Sequence, residues 1–265
     1  MNHIVSLSGG TSSAVAANRV IERYDKDKIT LWFADTLWED QDLYRFLDDL
    51  ESYWGIPIHR SVQGKTPLDV FTDAKIIPNS RFAPCSRMLK LRPFRKFLRK
   101  HPKPVTVHLG IDWTESHRME RPKATYEEME GVSVDFPLMW EPYANPPHRI
   151  ETESWGIKTP RMYDMGYPHN NCGGRCIRQG MKTWERTHTY FNDRYNEVAD
   201  WEEKQIERFP QLQGRGIARN HENYNDNSQP YRTLKEYEKK FLDGKQAVMP
   251  MFESNDDTFA CICDY

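Results

Sequence analysis

The sequence has few cysteines, no long apolar run and almost no net charge, and each shortage excludes a class of protein. Five cysteines in 265 residues, without a signal-peptide pattern at the N-terminus, do not indicate a disulfide framework. The longest apolar stretches, such as residues 30–34, are far shorter than the roughly 20 residues that cross a bilayer. With 37 Lys and Arg against 39 Asp and Glu, nucleic-acid affinity requires a local basic patch. We therefore expect a soluble cytoplasmic protein without a membrane partner.

The chain is nevertheless rich in side chains that build a core, since it has 8 Trp, 13 Tyr and 12 Phe. In the first half, short β-branched and aromatic runs alternate with helical patterns, which predicts an α/β fold with a doubly wound, mainly parallel sheet, similar to a Rossmann fold. A Pro- and Asn-rich connection after residue 140 predicts an α/β domain at 1–140 and a helical, cysteine-bearing region at 141–265. Aromatic and apolar residues at steps of three and four predict one long amphipathic helix over residues 181–208.

The first predicted strand and helix are joined by a turn of glycines and hydroxyl residues, Ser-Gly-Gly-Thr-Ser-Ser at residues 8–13. Glycine lets the backbone turn sharply and approach a ligand closely, and the free amides at the start of a helix attract anions. The turn therefore fits phosphate oxygens. It fits an ordinary strand–helix connection with Ser12 as N-cap equally well, because a lone Gly-Gly pair is a weak signal.

Several segments, in a fixed order along the chain, resemble the PP-loop adenine nucleotide alpha-hydrolases, and most closely their PAPS reductase-like branch of phage and bacterial type. The turn at 8–13 resembles the PP-loop itself. Residues 33–46 are similar to the segment F-x-D-T-G-x-E-x-P-x-T-Y-x-F, residues 84–94 to C-x-x-x-x-K-x-x-P, residues 110–116 to G-x-R-x-x-E-S, and residues 166–176 to a motif of phage-type members. The superfamily includes PAPS reductases, the DNA phosphorothioation sulfurtransferase and tRNA thiolases.

The resemblance implies a set of nucleotide contacts at the carboxyl ends of the strands. These are Ser8, Gly9, Gly10, Thr11, Ser12, Ser13, Asp35, Thr36, Gly110, Glu115 and Ser116, with Lys90 as a catalytic cation. The implied ligands are ATP and Mg²⁺, with Asp35 contacting the ribose or the cation. A turn aspartate that caps the next helix is the alternative role for Asp35.

The sequence also departs from the family pattern at several positions. Ser12 stands where many members carry Asp, Asp112 replaces a frequent Arg, and Leu37 replaces a Gly. Gln41 and Leu43 replace a Pro and a Thr. The C-terminal Glu-Cys-Gly-Leu-His segment that carries the nucleophile of true PAPS reductases is missing, which disfavours PAPS reduction.

The cysteines form two close pairs and a singleton, namely Cys172 with Cys176, Cys261 with Cys263, and Cys85. Thiolates prefer zinc or iron–sulfur clusters, although these spacings are not the commonest of zinc sites. The resemblance favours an iron–sulfur cluster, held by Cys85, Cys172, Cys176 and one or both of Cys261 and Cys263, with zinc as the alternative. Buried free thiols with a flexible tail are the competing interpretation.

A basic stretch is the third signal. Between residues 87 and 103 there are eight Lys or Arg and no acid, and Pro93 is predicted to open a helix there. Phe94, Phe97 and Leu98 would face inward and Arg92, Lys96, Arg99 and Lys103 outward. The stretch is either a solvated helix face or a track for a nucleic acid.

Together these features predict an enzyme that cleaves ATP to AMP and pyrophosphate in order to activate an acceptor for sulfur transfer. Its acceptor would be a nucleic acid (tRNA or DNA) or a small molecule, and its sulfur would come from a sulfur or thiol donor protein. Cys261 or Cys263 would act as a catalytic thiol. Two alternatives are reduction of PAPS or APS to sulfite, and a nucleotide- or nucleic-acid-binding module without catalysis.

Overall fold

A computed structural model describes residues 1–140, 147–219 and 231–243. This part of the chain contains a five-stranded sheet with the order β3-β2-β1-β4-β5, in which every neighbouring pair is parallel. The strands are β1 (Asn2–Leu7), β2 (Ile29–Asp35), β3 (Ile58–Val62), β4 (Val105–Leu109) and β5 (Val132–Asp135). The predicted α/β class with a mainly parallel sheet is confirmed.

Helices cover both faces of this sheet. On one face, α1 (Thr11–Arg23) and α2 (Gln41–Trp54) bury Ala14, Phe46 and Leu50 against β1 and β2. On the other face lie α4 (Arg92–Lys100) and α5 (Glu120–Glu127), with α3 (Pro67–Asp73) preceding them in the chain. The three central strands, β1, β2 and β4, are mostly buried because helices cover both of their faces, as in other parallel sheets. This confirms the doubly wound arrangement.

The helices begin and end where side chains satisfy their free backbone groups. The Asp40 carboxylate accepts a hydrogen bond from the Asp42 amide at the start of α2, and Gly55 (φ 65°) ends that helix in the left-handed conformation. Thr66 and Asp69 form a capping box at the start of α3. Local sequence therefore fixes the bounds of these elements.

The order of the strands reverses between β1 and β4. The chain leaves β1 toward the face covered by α1 and leaves β4 toward the face covered by α5. Open α/β sheets bind ligands in the crevice at the carboxyl ends of two such strands. The turn at residues 8–13 and Gly110 both lie at this point.

A helical region follows the sheet, as predicted. Its helices are α6 (His148–Ser154), α7 (Arg161–Asp164), α8 (Met181–Tyr190), α9 (Asn192–Arg208) and α10 (Leu234–Tyr237), and two short strands, β6 (Ala218–Arg219) and β7 (Tyr231–Arg232), pair in antiparallel orientation. Part of this region shares a core with residues 68–89 of the first half, and α6 packs on α1. The boundary at 140/141 stays a prediction.

The single helix predicted over residues 181–208 is wrong, because Phe191 (φ −138°, ψ 58°) separates α8 from α9. Residues 187–192 are Thr, His, Thr, Tyr, Phe and Asn, which all have modest helix propensity. The Phe191 ring meets the guanidinium groups of Arg194 at 4.1 Å and Arg161 at 5.6 Å. Tertiary contacts therefore override a periodic pattern at this residue.

None of the helices in the described ranges is long and apolar enough to cross a membrane. Cys261 and Cys263, predicted as ligands and catalytic thiols, lie outside the described residues.

Candidate active site

The turn at residues 8–13 has a backbone that requires glycine at one position and allows other residues at the next. Gly9 has φ 81°, and a Cβ there would lie 2.6 Å from Leu43 Cδ1. Gly10 (φ −100°, ψ 164°) is the N-cap of α1 and has ordinary extended angles. Gly110, at the end of β4, lies so close to the turn that a Cβ would come 2.9 Å from Ser13 Cα. The backbone of the turn and the end of β4 are therefore packed against each other, with no space for a side chain at Gly110.

Hydroxyl groups hold this turn in shape. The Ser13 hydroxyl donates to the Gly10 carbonyl at 2.9 Å and accepts from the Ser8 amide at 3.1 Å. The Ser8 and Ser13 hydroxyl oxygens lie 3.1 Å apart, and the Gly10 amide donates to Ser8 Oγ at 3.4 Å. Ser8 and Ser13, both predicted as nucleotide contacts, therefore also hold the turn in its conformation.

Three residues from the helical region reach the turn, and sequence reasoning missed the role of each. The Thr11 amide donates to the Tyr163 hydroxyl at 3.3 Å, and Asn170 Nδ2 donates to the Gly9 carbonyl at 3.3 Å. His148 Nδ1 lies 2.9 Å from Ser12 Oγ. Asn170 belongs to the segment 166–176 that resembles a family motif, whereas no sequence signal marked the other two.

His148 brings together two positions at which the sequence departs from the pattern of the family that it resembles. Its Nδ1 meets Ser12, and its Nε2 lies 3.9 Å from Asp112 Oδ2. Burial lowers the pKa of His148, the nearby Asp112 and Glu115 carboxylates oppose that shift, and Arg19 adds to it. The ring is therefore neutral at neutral pH. It links Ser12 to Asp112 in place of a direct carboxylate on the turn.

The carboxyl end of β2 supplies two further predicted residues. Asp35 is buried, and its Oδ1 accepts from the Leu37 amide and the Tyr44 hydroxyl, both at 2.8 Å. The Thr36 hydroxyl donates to Glu39 at 2.9 Å. Leu37 has φ 57°, a left-handed conformation that favours glycine. Leu37 therefore adopts a conformation that favours glycine at the position where the resembled segment has glycine.

Glu115 and Ser116 follow β4 in a short 3₁₀ segment, Trp113–Arg118. Glu115 pairs with Arg118, and Ser116 is exposed. Asp112 begins the segment by accepting from the Thr114 amide at 2.8 Å. Both predicted residues lie on the carboxyl side of β4, as the resemblance implies, and the charge of Glu115 is already neutralised.

Three of the five cysteines meet in one pocket beside the sheet. Cys85, Cys172 and Cys176 line it together with Lys90 and Trp38. A hydrogen bond with the Cys176 thiol lowers the pKa of Cys172, but burial and the Glu39 carboxylate outweigh it and raise the pKa to about 11. Without a bound cation the thiol therefore stays protonated at neutral pH.

A buried carboxyl group, Glu39, joins this pocket to the sheet. It accepts from the Thr36 hydroxyl and from the Cys172 amide. Burial raises its pKa, while Lys90 and the two donors oppose the shift. Glu39 thus fixes the loop that carries Cys172 against the end of β2.

The donor set of the pocket suits a soft metal or a cluster, because thiolates are its preferred ligands. Across the ranges that the structure describes, no three Cys, His, Asp or Glu side chains are arranged to hold a metal ion. The predicted set has two further members, Cys261 and Cys263, outside those ranges.

Lys90 connects the two halves of the site. It lies in the π-helical segment Ser86–Leu91. It lines the cysteine pocket and also a small cleft bounded by Ser8, Phe33 and Tyr126. One cation therefore borders both the cysteine pocket and the cleft that contains Ser8 of the turn.

Comparisons with known proteins identify one family. The model of the phosphoadenosine phosphosulfate reductase domain matches residues 2–138. Among solved structures, the chain resembles a phosphoadenylyl-sulfate (PAPS) reductase from Candida auris in a phosphate complex, with 14% identity and a TM-score of 0.45. That match covers 64% of this chain and 81% of the other. No curated protein matches the sequence. Since the matched region spans more than half of the chain, the protein belongs to the phosphoadenosine phosphosulfate reductase domain family.

Proposed function

We propose that the protein is an enzyme that binds ATP and cleaves it to AMP and pyrophosphate in order to activate an acceptor for sulfur transfer. The β- and γ-phosphates would lie on the turn at residues 8–13. An acceptor oxygen would attack the α-phosphorus, and pyrophosphate would leave. Sulfide supplied through a donor protein would then attack the activated acceptor, AMP would leave with the acceptor oxygen, and the sulfur would remain on the acceptor as a thiol or thiocarbonyl.

The shape of the turn supports the first half of this proposal. Gly9 and Gly10 bring the backbone to the start of α1, where amides and the helix dipole favour phosphate oxygens. Asp35 accepts both of its hydrogen bonds, from the Leu37 amide and the Tyr44 hydroxyl, at Oδ1. In the described residues Oδ2 has no donor, which leaves it for Mg²⁺ or a ribose hydroxyl.

The position of Lys90 is the observation that carries the proposal. Lys90 borders the cleft beside the turn and also the pocket of three thiols. It can therefore neutralise the charge of the nucleotide phosphates close to the thiols that would deliver sulfur. Substrates held between the two pockets would react mainly because they are positioned and their charge is neutralised.

The cysteine pocket supports the second half. Cys85, Cys172 and Cys176, with Cys261 or Cys263, would hold an iron–sulfur cluster or a zinc ion. When bound, such a centre would supply a soft metal for handling sulfide sulfur. The residues of this chain bind the metal, exclude water with Trp38, and hold the Cys172 loop through Glu39.

Pyrophosphate and AMP release tests the proposal. Gly10→Val should bind ATP at least tenfold more weakly, because the added side chain occupies the space of the phosphates. It should fold, since its angles suit valine and its Cβ meets the flexible Tyr163 hydroxyl at 3.0 Å. Adding Tyr163→Phe makes room for that Cβ and controls for crowding. Unchanged ATP affinity of folded Gly10→Val would contradict the proposal.

Anaerobic purification with absorption spectroscopy and analysis of iron, sulfide and zinc tests the metal centre. We expect iron and sulfide in the wild type and their loss in Cys85→Ser. Zinc in their place would indicate the alternative metal. A metal-free protein with full transfer activity would contradict a role for the centre.

Reduction of PAPS or APS is a second candidate function, favoured by the description of the matching family. It predicts sulfite release with thioredoxin and loss of that activity in Cys263→Ser. Sulfite release without any cleavage of ATP would favour this candidate over the first.

A further inference from the structure

The charged side chains of α4 differ from those of α2. On α2, Arg45 pairs with Asp42 and Asp49. Along the π-helical segment and α4, five cations are exposed: Arg87, Arg92, Lys96, Arg99 and Lys100. In the described part of the chain, none of the five pairs with a carboxylate. These five side chains, called the basic stripe below, therefore form a local positive patch in a protein whose net charge is −2.

Packing fixes the direction of the stripe. Phe94 and Leu98 are buried, and the Phe94 ring lies 4.6 Å from Trp32. With this face held, Arg92, Lys96 and Arg99 stand at helical spacing on the solvent side, over about 10 Å of helix. Lys103 was predicted to belong to the same face, but it lies beyond α4, and its ammonium group donates to the Leu98 carbonyl at 2.7 Å.

The stripe leads to the candidate active site. The π-helical segment continues directly into α4 and carries Lys90, which borders both pockets. Just before it, Phe82 is 56% exposed, beside Ala83 and Cys85 of the cysteine pocket. An exposed aromatic ring on the segment that leads into a row of exposed cations suits an unstacked nucleobase, since bases stack on such rings and phosphates bind the cations.

We propose that the stripe and Phe82 bind single-stranded nucleic acid and place one of its bases at the cysteine pocket. The assignment rests on the proposed function, because it names the class of acceptor. The phosphates contact Arg92, Lys96 and Arg99, and an unpaired base stacks on Phe82. Unpaired RNA and unpaired DNA offer the same phosphates and bases, and the experiment separates them.

Fluorescence anisotropy with labelled single-stranded RNA and DNA tests this surface. The triple variant Arg92→Gln, Lys96→Gln and Arg99→Gln should bind at least tenfold more weakly at about 50 mM salt. Its slope of log affinity against log salt should fall by about 2, at roughly 0.7 per lost phosphate contact. The control variant removes the same number of charges from exposed lysines outside the stripe: Lys158→Gln, Lys182→Gln and Lys204→Gln. Its affinity for the strand should stay within about twofold of that of the wild type.

Phe82→Ala separates stacking from charge. It should weaken single-strand binding about tenfold and leave the salt slope unchanged, since the ring contributes no charge. The RNA and DNA arms identify the strand that binds more tightly. Equal affinity for duplex DNA or for polyglutamate, or no difference between the two triple variants, would overturn the proposal.

This outcome is independent of the fate of the ATP proposal. The basic-stripe triple variant should keep its ATP affinity, because the three cations lie outside both pockets. Gly10→Val should keep its affinity for the strand. Strand binding without ATP cleavage would refute the catalytic proposal alone, and ATP cleavage without strand binding would refute this one alone.

Discussion

The turn at residues 8–13 and the cysteine pocket lie along the same edge of the sheet but are built differently. The turn consists of six consecutive residues that bond mainly to one another, such as Ser8 and Ser13. The pocket is assembled from separate stretches of chain, around Trp38, Cys85 and Cys172. A motif encoded locally forms with its strand and helix, whereas a pocket assembled from distant segments depends on every contact that holds them together.

Two acidic residues, Glu39 and Asp40, provide much of that connection. Glu39 holds the Cys172 loop, and Asp40 holds α7 and α9 through Arg161 and Arg194, both at 2.8 Å. If the comparison is right, substitutions here should loosen the pocket and leave the turn intact.

Asp40→Asn should have the largest effect. Arg161 and Arg194 lower the pKa of Asp40 against the effect of burial, so the carboxylate is charged, and asparagine removes both ion pairs. Since asparagine still caps α2, we expect a loss of about 3 kcal/mol in unfolding free energy, at the low end for a broken buried pair. Urea unfolding measures the loss, and hydrogen exchange should rise at residues 172–176 before residues 8–13.

Asp48→Asn is the matched control. Asp48 pairs with Arg60 on the surface, with 63% of its side chain exposed, so its loss should cost less than about 1 kcal/mol. Equal destabilisation by the two variants would show that the ion pairs of Asp40 with Arg161 and Arg194 stabilise the fold no more than a surface pair does.

Glu39→Ala should cost about 2 kcal/mol, because the buried Cys172 amide loses its acceptor. Glu39→Gln should cost less, since glutamine keeps a carbonyl for that amide and Thr36 can accept from its NH₂ group. Urea unfolding of both variants checks this order.

The pH dependence of Glu39→Gln gives a second test. Because burial raises the pKa of Glu39 above 4.5, the folded wild type holds a proton that the unfolded chain has lost. Its stability should fall as pH rises above about 5. The variant should lack this part of the decline, and identical pH profiles would contradict a buried, titrating carboxyl group.

His148→Gln tests the turn and should have a smaller effect, about 1 kcal/mol for the hydrogen bond with Ser12. Burial lowers the pKa of His148 below 6.5, so the unfolded chain takes up a proton first as pH falls. The wild type should therefore lose stability relative to the variant below about pH 6.5. Melting temperatures of both proteins across this range check the sign, and a wild-type advantage that grows in acid would contradict it.

Leu37→Gly should have the smallest effect and the opposite sign. Leu37 has φ 57° and is 46% exposed, so glycine relieves strain and loses little buried apolar area. We expect a gain of about 0.5 kcal/mol, since the entropy cost of glycine offsets part of the relief. Destabilisation in urea would show that the leucine side chain contributes to packing.

The sequence was informative wherever a feature depends on neighbouring residues. Short β-branched and aromatic runs alternating with helical patterns predicted the α/β class and the mainly parallel sheet. The glycines placed the turn at the carboxyl end of β1. Phe94 and Leu98 correctly predicted the buried side of α4.

Features that depend on distant residues were beyond sequence reasoning. His148 meets Ser12 across 136 positions and Tyr163 meets Thr11 across 152, and nothing local marks either partner. The break at Phe191 arises from its contacts with cations on other segments. Periodicity alone joined α8 and α9, because apolar spacing continues through the break.

The central claim is that the turn at residues 8–13 binds the phosphates of a nucleotide. A crystal structure with Mg²⁺ and a non-hydrolysable ATP analogue tests it most directly. The account predicts phosphate oxygens on the amides at the start of α1, with the Tyr163 hydroxyl displaced from Thr11. An analogue bound elsewhere, with Tyr163 still on the Thr11 amide, would contradict it.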